Sequence, residues 1–334
     1  MTRVVNMMNN IEQQLLNNYQ HHFPLVAMPY THIADELETD TKTVLNLLTE
    51  LCARGEVSRV GPVFKPNTIG TSTLAAMSVP EEDLAKVAAL VNDFPEVNHN
   101  YEREHDLNLW FVAVASNQNK LNDVLEEIQS KSGYAVLNLP LLKEYHIDLG
   151  FRLDNSSRKK VNHNNSDKAS IAHKFDYEKD EQLIASIQAG LPLSERPYAV
   201  IGKQLDLSEQ EVINKITDLQ TAGIIRRMGV VVRHHELGYR ANAMLVWDVP
   251  DEKVDELGKQ LSAEDDVTLC YQRPRIKPRW PYNLFSMIHG KSRDEVMMCI
   301  EQLVQKLSLD NTPYEILFSR QRFKQCGAQY FVKD

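Results

Sequence analysis

The chain has 334 residues, of which 43% are hydrophobic and 25% charged, with a formal net charge of −9 at pH 7. That is the composition of a globular protein of about two domains or more, and its acidic balance counts against strong non-specific affinity for nucleic acid. No apolar run of about 20 residues offers a membrane span, Met1-Thr2-Arg3-Val4-Val5-Asn6 lacks the apolar core of a secretory signal, and a cytoplasmic place is expected. The four cysteines (Cys52, Cys270, Cys299, Cys326) are too dispersed for a disulfide framework, a zinc ribbon or a cysteine-held cluster.

Apolar spacing predicts a helix over about 9–20 (Ile11, Leu15, Leu16, Tyr19), then helices at Tyr30–Leu37 and Asp40–Arg54, the last with Val44, Leu47, Leu48 and Leu51 on one face. Asp40 or Thr41 suits the N-cap and Gly55 the stop. Glu56–Phe64, which contains Gly61-Pro62, reads as a small hairpin or wing, so residues 1–66 form a winged helix-turn-helix. Residues 67–153 follow in the order β-α-β-β-α-β: strand 72–79, helix 81–92, strands 96–104 and 107–115, helix 119–131, strand 134–142. Pro80 places Glu81-Glu82-Asp83 at the positive end of its helix. This order is the split βαβ, ferredoxin-like pattern.

Residues 154–175 show no apolar period and read as a flexible linker. The whole pattern then recurs. Helices 178–189, 197–205 and 208–222, the last opened by Ser208 and closed by Gly223, lead to a hairpin at 224–232 and give a second winged helix at 176–235. Strand 241–249, helix 251–261, strands 266–273 and 283–290, helix 292–307 and strand 313–319 give a second ferredoxin-like domain at 236–334. The fold class is α+β, a tandem repeat of two modules packed as a pseudo-dimer. A helix-turn-helix suggests DNA, but the would-be recognition helices expose Thr41, Lys42, Thr43, Asn46, Thr49 and Glu50 in one copy. The other copy exposes Glu209, Gln210, Glu211, Asn214, Lys215, Asp218 and Gln220. Phosphate contact needs Lys and Arg, so a retained scaffold is the favoured reading and DNA is not expected as a partner.

Chemistry gathers in two matched stretches. Tyr101-Glu102-Arg103-Glu104-His105 runs into Asn108-Leu109-Trp110, and Tyr271-Gln272-Arg273-Pro274-Arg275 runs through Lys277, Arg279 and Trp280 into Asn283-Leu284-Phe285. With Arg320, Arg322 and Lys324 these bases make a cationic patch on an acidic chain, and arginine forks grip carboxylates. Interleaved Tyr271, Trp280, Tyr282 and Phe285 suit a large flat ligand edged with carboxylates. The plainer alternative is a solvated charge run over ordinary core aromatics, against which Pro274 and Pro278 argue for a shaped loop. His105, His146 and His289 recur near this wall, where a histidine can hold a proton near neutral pH or ligate iron. His21, His22, His163, His234 and His235 sit in polar, turn-like surroundings and are given no role.

The tandem modules resemble the Lrp/AsnC architecture. Four strings are similar to those of the siroheme decarboxylases: Tyr101-Glu102-Arg103-Glu104-His105 with Asn108-Leu109-Trp110-Phe111, the run from Glu144-Tyr145-His146 to Gly150-Phe151, Tyr282-Asn283-Leu284-Phe285 with Met287-Ile288-His289-Gly290, and Arg322-Phe323-Lys324-Gln325. The likeness covers nearly the whole chain outside the linker and departs at Cys326, where that family often has a base. It implies removal of two acetate carboxyls from siroheme, giving didecarboxysiroheme for d-type or alternative haem synthesis. The iron tetrapyrrole is then the substrate, with no other cofactor and no separate metal site. Other enzymes of d-type haem synthesis are the expected partners, beside a homo-oligomer. On this reading His105, His146, Arg103 and Tyr101 form the catalytic set, one histidine acting as acid and the other orienting substrate or ligating iron. Arg273, Arg275, Arg279, Trp280, His289, Arg322 and Lys324 form the substrate-binding set. The first half, which holds both His105 and His146, is expected to do the proton chemistry. Two alternatives stay open from sequence: an Lrp-like haem- or metabolite-sensing regulator, and a haem-binding assembly partner without turnover.

Overall fold

The computed structural model describes residues 2–147, 177–232 and 241–331; the expected linker, Leu149–Phe151, His163, His234 and His235 lie outside the described residues. In chain order the first half contains α1 (Thr2–Asn18), α2 (Pro29–Glu36), α3 (Thr41–Ala53), β1 (Val57–Phe64), β2 (Thr71–Met77), α4 (Glu81–Asn92), β3 (Val97–Arg103), β4 (Leu109–Ala115), α5 (Gln118–Ser132), β5 (Val136–Pro140) and β6 (Lys143–Ile147). The second contains α6 (Tyr177–Ile187), α7 (Pro197–Leu205), α8 (Glu209–Thr221), β7 (Ile225–Val232), β8 (Ala241–Trp247), α9 (Val254–Ala263), β9 (Val267–Gln272), β10 (Leu284–Gly290), α10 (Arg293–Lys306) and β11 (Tyr314–Gln325). Two compact units result. One collects the helix-turn-helix elements of both halves, the other the ferredoxin-like elements, and Gln329, Tyr330 and Phe331 belong with the first. Among the described residues no helix is long and apolar enough to cross a membrane.

In the helix-turn-helix unit, local chemistry sets the boundaries. The Asp40 side chain caps α3 by accepting from the Thr43 amide at 2.9 Å, and Ser208 and Glu211 form a reciprocal capping box on α8. Pro29 and Pro197 open α2 and α7, where a missing N–H costs nothing. The face of α8 turned to solvent carries Gln210, Glu211, Asn214 and Asp218. Its Lys215 reaches buried Asp180 at 2.9 Å, and Glu209 holds Arg196 at 2.5 Å.

The wings differ from expectation. Neither Glu56–Phe64 nor 224–232 is a hairpin. Each is a single strand, and β1 and β7 pair antiparallel with each other, Gly61 opposite Gly229. Those glycines do not have the positive φ that a tight hairpin turn demands. They allow close approach instead: a Cβ on Gly229 would sit 2.0 Å from the Gln20 carbonyl oxygen, and one on Gly61 would sit 3.0 Å from the Gly190 Cα.

In the ferredoxin-like unit the nine described strands are hydrogen-bonded in one continuous order, β5-β2-β4-β3-β11-β8-β10-β9-β6, in which one sheet (β5, β2, β4, β3) and a second (β8, β10, β9, β6) are joined by β11. Along β4, Leu109, Phe111, Ala113 and Ala115 face a core shared with α4 and α5, while Trp110 and Val112 face the other way, as the two-residue strand period requires. Ala243, Leu245 and Trp247 of β8 likewise face α9 and α10. A third core joins the halves: Trp110, Leu137 and Leu139 meet Met244, Trp280, Phe285 and Leu317. The layers therefore run helix, sheet, sheet, helix. Two runs of chain cross between the sheets. The first leaves β2 as β5 and joins β9 as β6. The second is β11, whose residues up to Phe318 pair with β8 and whose residues from Ser319 pair with β3. Expected strand ends at 142 and 319 are thus exceeded on both sides, because each extension finds its hydrogen bonds on the opposite half.

The glycine contact in the ribbon is directly testable. Gly229→Ala should cost about 1–3 kcal/mol, the usual range for overpacking, read as a lower urea midpoint with an unchanged slope. An unchanged midpoint would mean that Gln20 and the ribbon do not meet as described.

Candidate functional site

The site begins with the alternation of β3. Asn100 points to α4, where its Nδ2 donates to the Ala88 carbonyl at 3.1 Å. His99, Tyr101 and Arg103 therefore take the opposite face, with Tyr101 across from Trp110 and His99 across from Val112. A short turn follows, in which the Arg103 amide donates to Asn108 O at 2.8 Å and the Glu104 amide to Phe318 O at 2.9 Å. The asparagine of each Asn-Leu motif is a clamp. Asn108 bonds both the N–H and the C=O of Val79 at 3.0 and 2.8 Å, and Asn283 does the same to Val249 at 3.1 and 2.9 Å.

The two Tyr-x-Arg arginines are held in matching ways. Arg103 is 7% exposed, and its Nη1 donates to the Leu317 carbonyl at 3.0 Å. Arg273 Nη1 donates to the carbonyl of Leu139, the residue that stands in β5 where Leu317 stands in β11. Each guanidinium lies over its own tyrosine, Arg103 over Tyr101 at 5.8 Å and Arg273 over Tyr271 at 4.7 Å. The Tyr271 hydroxyl is within electrostatic reach of both, and burial pulls both guanidinium groups below their usual range. Arg273 as a whole is only half-buried, yet its Nε is shut off from solvent. Neither Nε has a hydrogen-bond partner among the described residues, and among them no carboxylate pairs with either guanidinium. A buried cation without a counter-ion is costly. The arrangement is one that an incoming anion would complete.

His105 stands two residues along β3's exit from Arg103. Its Nδ1 accepts from the Leu107 amide at 2.8 Å, which assigns the proton to Nε2, and Nε2 meets Glu315 Oε2 at 2.9 Å. Glu315 and Leu317 occupy alternate positions of β11, so His105 and Arg103 engage the same strand one step apart. The imidazole stands edge-on to Trp280 at 5.7 Å, and Trp280 packs on Trp110 at 5.2 Å. Tyr282 also bonds Glu315; burial first, and then that bond, pushes its hydroxyl well above its usual range. Trp280 is fully buried, and its indole N–H has no partner among the described residues.

Other sequence candidates divide. Arg322 lies opposite Tyr101 in the β11–β3 register, exposed, and donates to Gln325 at 3.2 Å. Arg275 is held by Asp248 at 2.7 Å and Asp251 at 2.9 Å, beside a cleft of about 650 Å³ that includes Lys253 and Leu309. Arg279 is exposed near the tip of a loop closed by reciprocal 2.8 Å bonds between Ile276 and Trp280. His289 shares a bond of 3.0 Å with Thr268. Lys324 caps the C-terminal end of α4 through the carbonyls of Asn92 and Phe94 at 2.7 and 2.9 Å. His146 lies on β6 opposite Cys270, at the far end of the sheet order, so His105 and His146 are not brought together. Two neighbours of the site carry no motif of their own in the sequence. His99 stacks on Tyr101 with centroids 6.2 Å apart, and Glu315 partners His105. The i, i+2 spacing of His99, Tyr101 and Arg103 was the available signal. Among the described residues no group of three or more His, Cys, Asp or Glu side chains could hold a metal ion.

Comparison with known proteins gives matches to both parts. Residues 68–146 and 236–324 match the AsnC-like ligand binding domain, and residues 12–57 and 180–226 match the siroheme decarboxylase NirDL-like HTH domain. The siroheme decarboxylase NirDL subunit of Paracoccus pantotrophus is 40% identical over 322 residues, covering 96% of this chain and 97% of that protein. The siroheme decarboxylase of Hydrogenobacter thermophilus is 33% identical over 98% of this chain and 97% of its own. A crystal structure of siroheme decarboxylase NirDL in complex with an iron-uroporphyrin III analogue superposes with a TM-score of 0.69 at 28% identity, covering 97% of this chain and 95% of that one.

The uncompensated guanidinium predicts an unusual mutant. Arg103→Met should leave the unfolding midpoint unchanged or higher, since it removes a buried charge without a counter-ion. A loss above about 2 kcal/mol would instead mean that the bond to Leu317 dominates.

Proposed function

The chain belongs to the siroheme decarboxylase family, and on that premise we propose that it takes siroheme as substrate and removes two acetate carboxyls as CO₂, a carboxy-lyase reaction. The observation that carries this reading is Arg103, buried with no carboxylate partner among the described residues, and Arg273 is held in the matching way on the other half. A solved relative's complex with an iron-uroporphyrin III analogue supports the same ligand chemistry. The proposed setting is cytoplasmic synthesis of d-type or alternative haem, with no cofactor beyond the substrate itself.

Each turnover breaks the bond between a carboxyl carbon and its methylene. The electron pair stays on the methylene, delocalised into the macrocycle; CO₂ leaves, and one proton joins the carbon to give a methyl. No external oxidant is required. A carboxylate clamped by a guanidinium is stabilised where it stands, so Arg103 suits a carboxylate that remains. The reacting acetate is better placed against apolar surface, where loss of its hydration favours departure of CO₂. His105 borders the buried apolar cluster of Leu107, Trp110 and Trp280. His105, once a proton taken up from solvent by way of Glu315 makes it imidazolium, is the proposed proton donor and returns to the neutral ring on giving that proton up; Glu315, whose side chain is 46% exposed, is steadied by Tyr282. His146, on a different strand pair, has no part in this step.

Anaerobic incubation with reduced siroheme, followed by product masses, tests the reading. The wild type should yield species lighter by one and then two CO₂, and His105→Ala should slow this by about 10²–10⁴-fold, the usual contribution of a positioned acid. Siroheme recovered intact from the wild type would overturn the function. Near-native turnover in His105→Ala would remove His105 from the proton step.

A further inference from the structure

The crossing strands create two edges that register makes equivalent. At one, β3 meets the outer part of β11, with Arg322 opposite Tyr101 and Gln325 opposite His99. At the other, β9 meets β6, with Glu144 opposite Tyr271. Tyr101 and Tyr271 correspond, since they lie across from Trp110 and Phe285 at matching positions of β4 and β10. His99 and Leu269 correspond by the same register, across from Val112 and Met287. Side-chain faces agree. Phe323 packs toward the α4–α5 core and Tyr145 toward the α9–α10 core, which turns their neighbours Arg322 and Glu144 to the face of the tyrosines.

Around one shared Tyr-x-Arg the edges have diverged in charge. The β3–β11 edge adds an exposed arginine and a histidine. The β9–β6 edge puts a carboxylate and a leucine in their places, and leucine at position 137 where the other edge has Glu315. A macrocycle rimmed with carboxylates is attracted to the first arrangement and repelled by Glu144 in the second. We propose that substrate is recognised at the β3–β11 edge alone, with Arg322 and His99 as its specificity-determining residues, and that the β9–β6 edge is a copy closed to acid-rimmed ligands. This rests on the functional reading above and adds to it which of two like surfaces takes the ring.

Titration with iron-uroporphyrin III, followed by its Soret band and by the salt dependence of Kd, tests the assignment. The wild type should bind one equivalent per chain. Arg322→Glu should weaken binding at least tenfold, and Arg322→Gln should weaken it less while lowering the salt slope. His99→Phe, which keeps the ring stack on Tyr101, should weaken binding several-fold, and Glu144→Gln should leave it within twofold. Binding by Arg322→Glu within twofold of wild type, a tenfold loss in Glu144→Gln, or two equivalents per wild-type chain would each overturn the edge assignment while sparing the functional reading. A wild type that binds no iron-uroporphyrin III would overturn both.

Discussion

The structure depends on a reciprocal bond: each Tyr-x-Arg arginine donates to a leucine carbonyl on the closing strand of the other half, Arg103 to Leu317 and Arg273 to Leu139. Those carbonyls are within reach because the closing strands cross from one sheet to the other. The crossing in turn needs a shared core of Trp110, Trp280, Phe285 and Leu317, which brings the sheets face to face. Two guanidinium groups are thereby held with their Nε atoms shut off from solvent and with no carboxylate partner among the described residues. Positive charge kept in a low-dielectric space without a counter-ion costs stability, and such a cost is accepted where function needs it.

The chain's basic residues divide by what each one neutralises. Arg275 satisfies Asp248 and Asp251, Lys324 satisfies the end of α4, and Arg293 satisfies Glu104 at 2.9 Å. From sequence these bases look alike. Only the fold separates those that neutralise local acids or carbonyls from those held in reserve.

Most of the fold was legible because duplication and hydrophobic period are local signals. Helix α4 and helix α7 fall at Glu81–Asn92 and Pro197–Leu205 as the spacing predicts, and Asp40 and Ser208 cap as their residue types suggest. What escaped depends on partners far away in sequence. Gly61-Pro62 signals a turn, yet the contact that needs the glycine is with Gly190. Lys143-Glu144 and Arg320-Gln321-Arg322 look like polar loops until a strand from the other half pairs with them. His146 lies within the first ferredoxin-like domain in sequence, but its strand leaves that half's sheet for β9. His99 was hidden differently: it sits just before the motif that drew attention, and only the alternation of β3 reveals that it shares a face with Tyr101 and Arg103.

The exchange of closing strands also governs how such a surface can evolve. In a symmetric pair of identical modules, both edges would be built from the same residues, and any change to one would appear at its mate. Two covalently joined copies are released from that symmetry, so arginine can stand at 322 while glutamate stands at 144. Divergence still has a limit, because neither copy owns an edge outright. Each edge borrows one strand from either half, and a lone module would leave β3 and the outer part of its closing strand bare, with unpaired backbone groups inviting association. The halves are free to specialise and unable to part.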